Sequence, residues 1–190
     1  MTLRIVMAIC ALVVVPLGRA SAQQEMRTFH DPGGWFSISL PADWKPAGDP
    51  VRSLGAGFVQ GFARSDAGKW VRSTLAADGP TSVHGSALPF IGMLAIELPR
   101  TLSTRAFEDI VKAYVPTGWT KTQHGEARIA GHAAFYQYMT HGDLYAVLVG
   151  IPTPRASYLL MAGTVNQPER VNTDFATISQ ILESLRTRRL

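Results

Sequence analysis

The chain has 190 residues, of which 46% are hydrophobic and 17% charged, with a formal net charge of +4. That mild excess is not gathered into the basic stripe that a nucleic-acid-binding face needs, which argues against one. Cys10 is the only cysteine, so the fold is not stapled by disulfides and must be stabilised by its own core.

Residues 1–22 read as an export signal of the Sec type. Arg4 supplies the positive start, Ile5 to Leu17 is almost continuously apolar, and Ala20-Ser21-Ala22 places small residues where a signal peptidase cuts. The apolar run is shorter than the ~20 residues of a membrane-spanning helix, and Pro16 and Gly18 break it. Cys10 lies inside the run rather than after it, which argues against lipid attachment. The expected mature chain, 23–190, keeps 168 of the 190 residues as one domain, in the periplasm or secreted. Loss of Arg4 and Arg19 lowers its basic count from 18 to 16 against 14 acidic residues. The longest later apolar run, Tyr145 to Pro152, is strand-sized.

Met26 to Phe29 predicts a short strand, and His30 to Gly34 a turn rich in proline and glycine. In Trp35 to Leu40, alternation puts Phe36, Ile38 and Leu40 on one strand face until Pro41 halts it. Trp44 is expected exposed, in a proline-flanked loop. Gly55 to Ala63 reads as a glycine-rich strand with a turn after it, Trp70 to Ala76 as a strand, and residues 77 to 90 as irregular. Ile91 to Leu98 reads as a buried strand stopped by Pro99. Phe107, Ile110, Val111 and Tyr114 then take helical spacing, capped by Ser103 or Thr104 and closed by Pro116 and Gly118.

Trp119 to Arg128, Ala134 to Thr140, Leu144 to Ile151 and Tyr158 to Val165 predict an antiparallel meander. A tight turn at residues 129 to 132 sets His124 opposite Gln137 and His141 opposite Thr120. Pro168 opens a last helix with Val171, Phe175, Ile178, Leu182 and Leu185 along one stripe, expected to pack on the sheet. Together these elements predict an α+β fold, an antiparallel β-sheet flanked by helices.

The segment Phe29 to Trp44, F-x-D-P-x-G-x-F-S-I-S-L-P-A-D-W, resembles the opening of PsbP and Mog1-like proteins and their bacterial periplasmic relatives of the DcrB type. Phe175-x-x-Ile178-x-x-Ile181-Leu182-x-Ser184-Leu185 resembles that group's closing helix. The likeness covers both ends of the expected mature chain and is loosest between residues 45 and 100. It implies an α/β/α sandwich, with helices on both faces of an antiparallel sheet. The group includes a photosystem accessory protein, a regulator of a small GTPase and many exported proteins, so the likeness transfers no catalytic residue.

The residues themselves offer no catalytic constellation. Gly85-Ser86-Ala87 lacks the nucleophile-elbow pattern. Gly55-x-Gly57-x-x-x-Gly61 lacks the helix N-terminus that a dinucleotide loop requires, given the strand read there. His30, His84, His124, His132 and His141 do not converge as metal ligands must. Glu108 and Asp109, adjacent on a helix, diverge. The expectation is therefore an exported, non-enzymatic accessory domain without cofactor or metal, binding a protein partner or envelope component. Trp44, Trp35, His84 and Phe90 are its candidate contacts. Arg186, Arg188 and Arg189 could touch acidic lipid, but arginines at a helix end also complement its dipole. The alternative is a small-molecule or metal-ion carrier with a pocket between sheet and helix.

Overall fold

The structure, a computed structural model, describes residues 24–98, 101–112, 115 and 117–187. The expected signal segment lies outside these residues, as do Pro99, Tyr114, Pro116, Arg188 and Arg189.

Strands β1 (Met26–His30) and β2 (Phe36–Pro41) pair antiparallel, with Phe36 and Ile38 buried as their alternation requires. Asp31 fixes the turn between them: its carboxylate accepts from the Trp35 N–H at 2.9 Å and from the Ser73 hydroxyl. The chain then folds back at Pro41, whose carbonyl accepts the Trp44 N–H at 3.0 Å. This turn carries the Trp44 indole into the core at 6% exposure, which corrects the expected exposed loop. Strand β3 (Lys45–Pro46) follows.

Residues Leu54–Ala63 form helix α1, not the expected strand. The Ser53 oxygen caps it by accepting the Ala56 N–H at 3.1 Å, and Leu54, Phe58, Val59 and Phe62 repeat at helical spacing. A short 3₁₀ turn, Asp66–Trp70, leads into strand β4 (Val71–Val83) and strand β5 (Ser86–Ile96). The stretch 77–90 is thus a hairpin rather than irregular chain. His84 and Gly85, both at positive φ, make its two-residue turn, and a bulge between Asp78 and Thr81 absorbs Pro80.

Helix α2 (Thr104–Lys112) starts where Ser103 accepts the Ala106 N–H at 3.2 Å and buries Phe107 and Val111. The expected meander follows as β6 (Thr120–Ile129), β7 (His132–His141), β8 (Leu144–Pro152) and β9 (Ser157–Val165). His124 does oppose Gln137, but a bulge between Lys121 and Gln123 shifts the register, so Thr120 opposes Thr140 and not His141. Helix α3 (Pro168–Glu183) and strand β10 (Arg186–Thr187) are the last described elements.

The main sheet has the order β3-β4-β5-β9-β8-β7-β6, with all neighbours antiparallel. One face packs on α1 and α2 through Phe58, Phe62, Leu94, Phe107, Leu148 and Met161. The other packs on α3 and on the small sheet β1-β2-β10 through Ile38, Met93, Val149, Tyr158, Ile178 and Leu182. Helices therefore cover both faces of an antiparallel sheet, the α+β sandwich expected. Among the described residues no helix is long and apolar enough to cross a membrane.

Candidate functional site

Among the described residues, the cover over the sheet is incomplete beside α3. Its helix packs chiefly over β9, and between it and the edge strand β6 lies a groove of about 690 Å³. The floor is Tyr136, Tyr138, Val147 and Val149 of β7 and β8. Phe175, Ala176 and Ser179 form one wall, and Gln123, Ala127 and Ile129 the other.

Alternation along β7 puts Tyr136 and Tyr138 on this face, and the sheet register brings Tyr145 of β8 beside them. Tyr138 stacks on Tyr145 with ring centroids 5.5 Å apart and 11° between planes. Phe175 of α3 meets both rings, at 5.9 Å from Tyr138 and 5.3 Å from Tyr145. Tyr136 stands edge-on to Tyr138 and reaches across β6 at Gly125. A Cβ on Gly125 would fall 2.7 Å from the Tyr136 hydroxyl oxygen, so glycine is what lets the ring lie there.

Among the described residues, no hydrogen bond reaches the Tyr136, Tyr138 or Tyr145 hydroxyl. Burial pushes the Tyr138 pKa above the usual 10.0, with Tyr136 adding to the rise. Burial does the same to Tyr145, with Tyr138 adding. Both are therefore neutral hydroxyl donors near pH 7. At the rim, Glu183 accepts the Ala130 N–H at 3.2 Å, and Arg128 donates to the Gly131 carbonyl at 3.0 Å. An apolar aromatic floor with unpaired hydroxyls and wall amides can hold an uncharged ligand surface that offers hydrogen-bond acceptors.

The sequence-expected contact residues lie elsewhere. Trp44 is core, as described above. Phe90 is 0% exposed within the core beneath α1 and α2, so it too offers no surface, a correction that follows from the hairpin at 77–90. His84 is exposed at the tip of that hairpin, and Trp35 is half-buried with its carbonyl accepting the Tyr158 hydroxyl at 2.7 Å. Neither lines the groove. Arg186 donates to the Glu183 carbonyl at 2.9 Å and to that of Leu185 at 3.0 Å, satisfying the end of α3. Among the described residues, no three histidine, cysteine, aspartate or glutamate side chains are grouped to hold a metal. The tyrosine pair 136/138 is visible in the sequence as alternation; that its face lies beyond the reach of α3 is not.

No protein-family model matches the chain, and no curated protein matches its sequence. Solved structures do. The cyanobacterial PsbP (CyanoP) of Synechocystis sp. PCC 6803 is similar over 91% of this chain and 99% of its own, at 12% identity and a TM-score of 0.53. LpqN, a protein involved in cell envelope biogenesis of Mycobacterium tuberculosis, is similar over 87% of this chain and 91% of its own, at 13% identity and a TM-score of 0.51. A Bacteroides thetaiotaomicron protein, of whose length this chain spans about half (49%), matches at 12% identity over 87% of this chain with a TM-score of 0.46. At these identities the likeness is one of fold, and the fold is the PsbP-like one implied by Phe29 to Trp44.

Proposed function

We propose that the protein is an exported accessory domain that acts by binding, and that the groove between α3 and β6 receives a protein partner or envelope component. The observation that carries this is the aromatic floor with its unpaired tyrosine hydroxyls, open along one side of the sheet. Its polar groups are amides, hydroxyls and rim charges, a set suited to recognition rather than to bond making. The signal-like residues 1–22 support export, and the fold shared with an envelope-biogenesis protein supports a role in that compartment. His84 and Trp35 serve as secondary contacts outside the groove.

The experiment is site-specific photocrosslinking in the host from Ser179, exposed on the α3 wall. One reproducible protein adduct, lost when Ala176 is changed to Trp to fill the groove, is the expected result. Crosslinks that ignore the groove-filling change overturn the assignment of the surface. A second reading, a small-molecule carrier, is favoured by one observation: about 690 Å³ falls within the ~300–1,000 Å³ of small-ligand sites. Native mass spectrometry of the purified protein separates the two, because a carrier retains its ligand.

A further inference from the structure

The two edges of the main sheet differ. One is closed by β3, two residues ending in Pro46, which offers almost nothing to pair with. The other is β6, ten residues without proline and with no outer neighbour among the described residues. Its hydrogen-bonding directions follow from the turn after it. Ile129 and His132 flank the two-residue turn Ala130–Gly131, where both φ values are positive, and so form its closing bonded pair. Counting back by twos, Ile129, Ala127 and Gly125 direct their backbone groups to β7, while Arg128, Glu126 and His124 direct theirs outward.

We propose that β6 pairs antiparallel with β6 of a second copy of the chain, about a two-fold axis through Ala127. In that register Glu126 of each copy stands opposite Arg128 of the other, and both residues belong to the outward-bonding set. Two bonded pairs and two opposite-charge cross-strand pairs therefore form together. A shift of the axis to Glu126 would set two carboxylates face to face, which is unfavourable. Ala127, at the axis, is a non-bonded position where strands approach closest, and its small side chain fits there.

The charges themselves are free for this role. Glu126 and Arg128 are exposed, and neither has an ion-pair partner among the described residues; Arg128 makes one bond, to a backbone carbonyl. Charged side chains on an edge repel an arbitrary strand and admit one with the complementary order. The bulge at Lys121 and Gln123 ends the pairable stretch, so the contact is short. A contact well below the standard ~1,600 Å² belongs to the weak, transient class, so the dimer is sought at about 10–100 µM protein and above. Because β6 is also the outer wall of the groove, the two-fold sets two grooves side by side.

Sedimentation equilibrium of the purified protein across that concentration range tests the proposal. The expected result is a concentration-dependent dimer, reduced at least tenfold in affinity by Glu126→Arg or Arg128→Glu and restored by the two changes together. Amide exchange gives a second reading: the N–H groups of Glu126 and Arg128 should slow as the protein is concentrated, while that of Ala127, already bonded to β7, should not change. A protein that stays monomeric throughout, or a dimer indifferent to both single changes, overturns the proposal. Neither outcome bears on what fills the groove.

Discussion

Asp78 holds a carboxylate at 9% exposure, where the Ser53 hydroxyl donates to it at 2.8 Å. The same Ser53 oxygen caps α1, so one side chain joins the helix start to β4. Burial raises the Asp78 pKa above 3.8, and the Ser53 hydrogen bond only partly opposes this. Between 3.8 and the raised folded value the native chain holds a proton that the unfolded chain has released, so stability falls as pH rises through that window. Asp78→Asn keeps an acceptor for Ser53 and removes the charge. It should be at least as stable as the parent at pH 7, the difference vanishing in acid below 3.8; urea melts at the two pH values check this. Ser53→Ala removes the cap and strands the carboxylate, for a loss of about 2 kcal/mol or more. Tyr138→Phe is the converse case. Its hydroxyl has no partner among the described residues, so stability should change by less than about 0.5 kcal/mol. Binding in the groove should weaken by up to about tenfold, the worth of one net hydrogen bond; a titration of the crosslinked partner measures it.

Helix α1 shows why a sequence pattern can mislead at the scale of one element. Three glycines in ten residues lower helix propensity and suggest a strand or turn, although Leu54, Phe58 and Phe62 already repeat at four. The glycines do different work. A Cβ on Gly55 would lie 2.4 Å from the Ile91 carbonyl oxygen, and one on Gly92 would lie 2.5 Å from the Gly55 carbonyl oxygen. Backbone meets backbone there, so helix packing on β5 decides the conformation over propensity. Gly61 has nothing within 4 Å of its Cβ position. Gly55→Ala should therefore cost about 1–3 kcal/mol by lifting α1 from the sheet. Gly61→Ala should stabilise by about 0.5–1 kcal/mol. Chemical denaturation of both tests the distinction, and equal effects would refute it. Elements governed by local chemistry were legible beforehand: the Phe29–Trp44 hairpin, α2 with its Ser103 cap, the meander and α3. Those governed by distant contact were not. Trp44 is buried by the turn at Pro41, and the strands at 77–90 are extended by a bulge that accommodates Pro80, which otherwise reads as a breaker. The groove was unreadable for a related reason, because it is a gap between elements.

At the scale of the whole molecule, that gap depends on where α3 is seated. Apolar contact through Ile178, Ile181 and Leu182 presses the helix onto the sheet but does not by itself fix its position along the strands. A polar pin does. Asp174, 7% exposed, accepts the Thr164 hydroxyl of β9 and lies 3.6 Å from Arg170, which donates to Thr81 of β4 at 3.0 Å. The pin thus ties α3 to both β9 and β4, on the side away from β6, and leaves Phe175 to overhang Tyr138 and Tyr145. Asp174→Ala strands the Thr164 hydroxyl and releases Arg170, at a cost of about 2–3 kcal/mol. The loss should be local as well as global: amides of α3 should exchange faster, those of α1 and α2 should not, and crosslinking from Ser179 should fall in parallel. An α3 that exchanges at the parent rate would mean that apolar packing alone positions the helix, and that the groove does not depend on the pin.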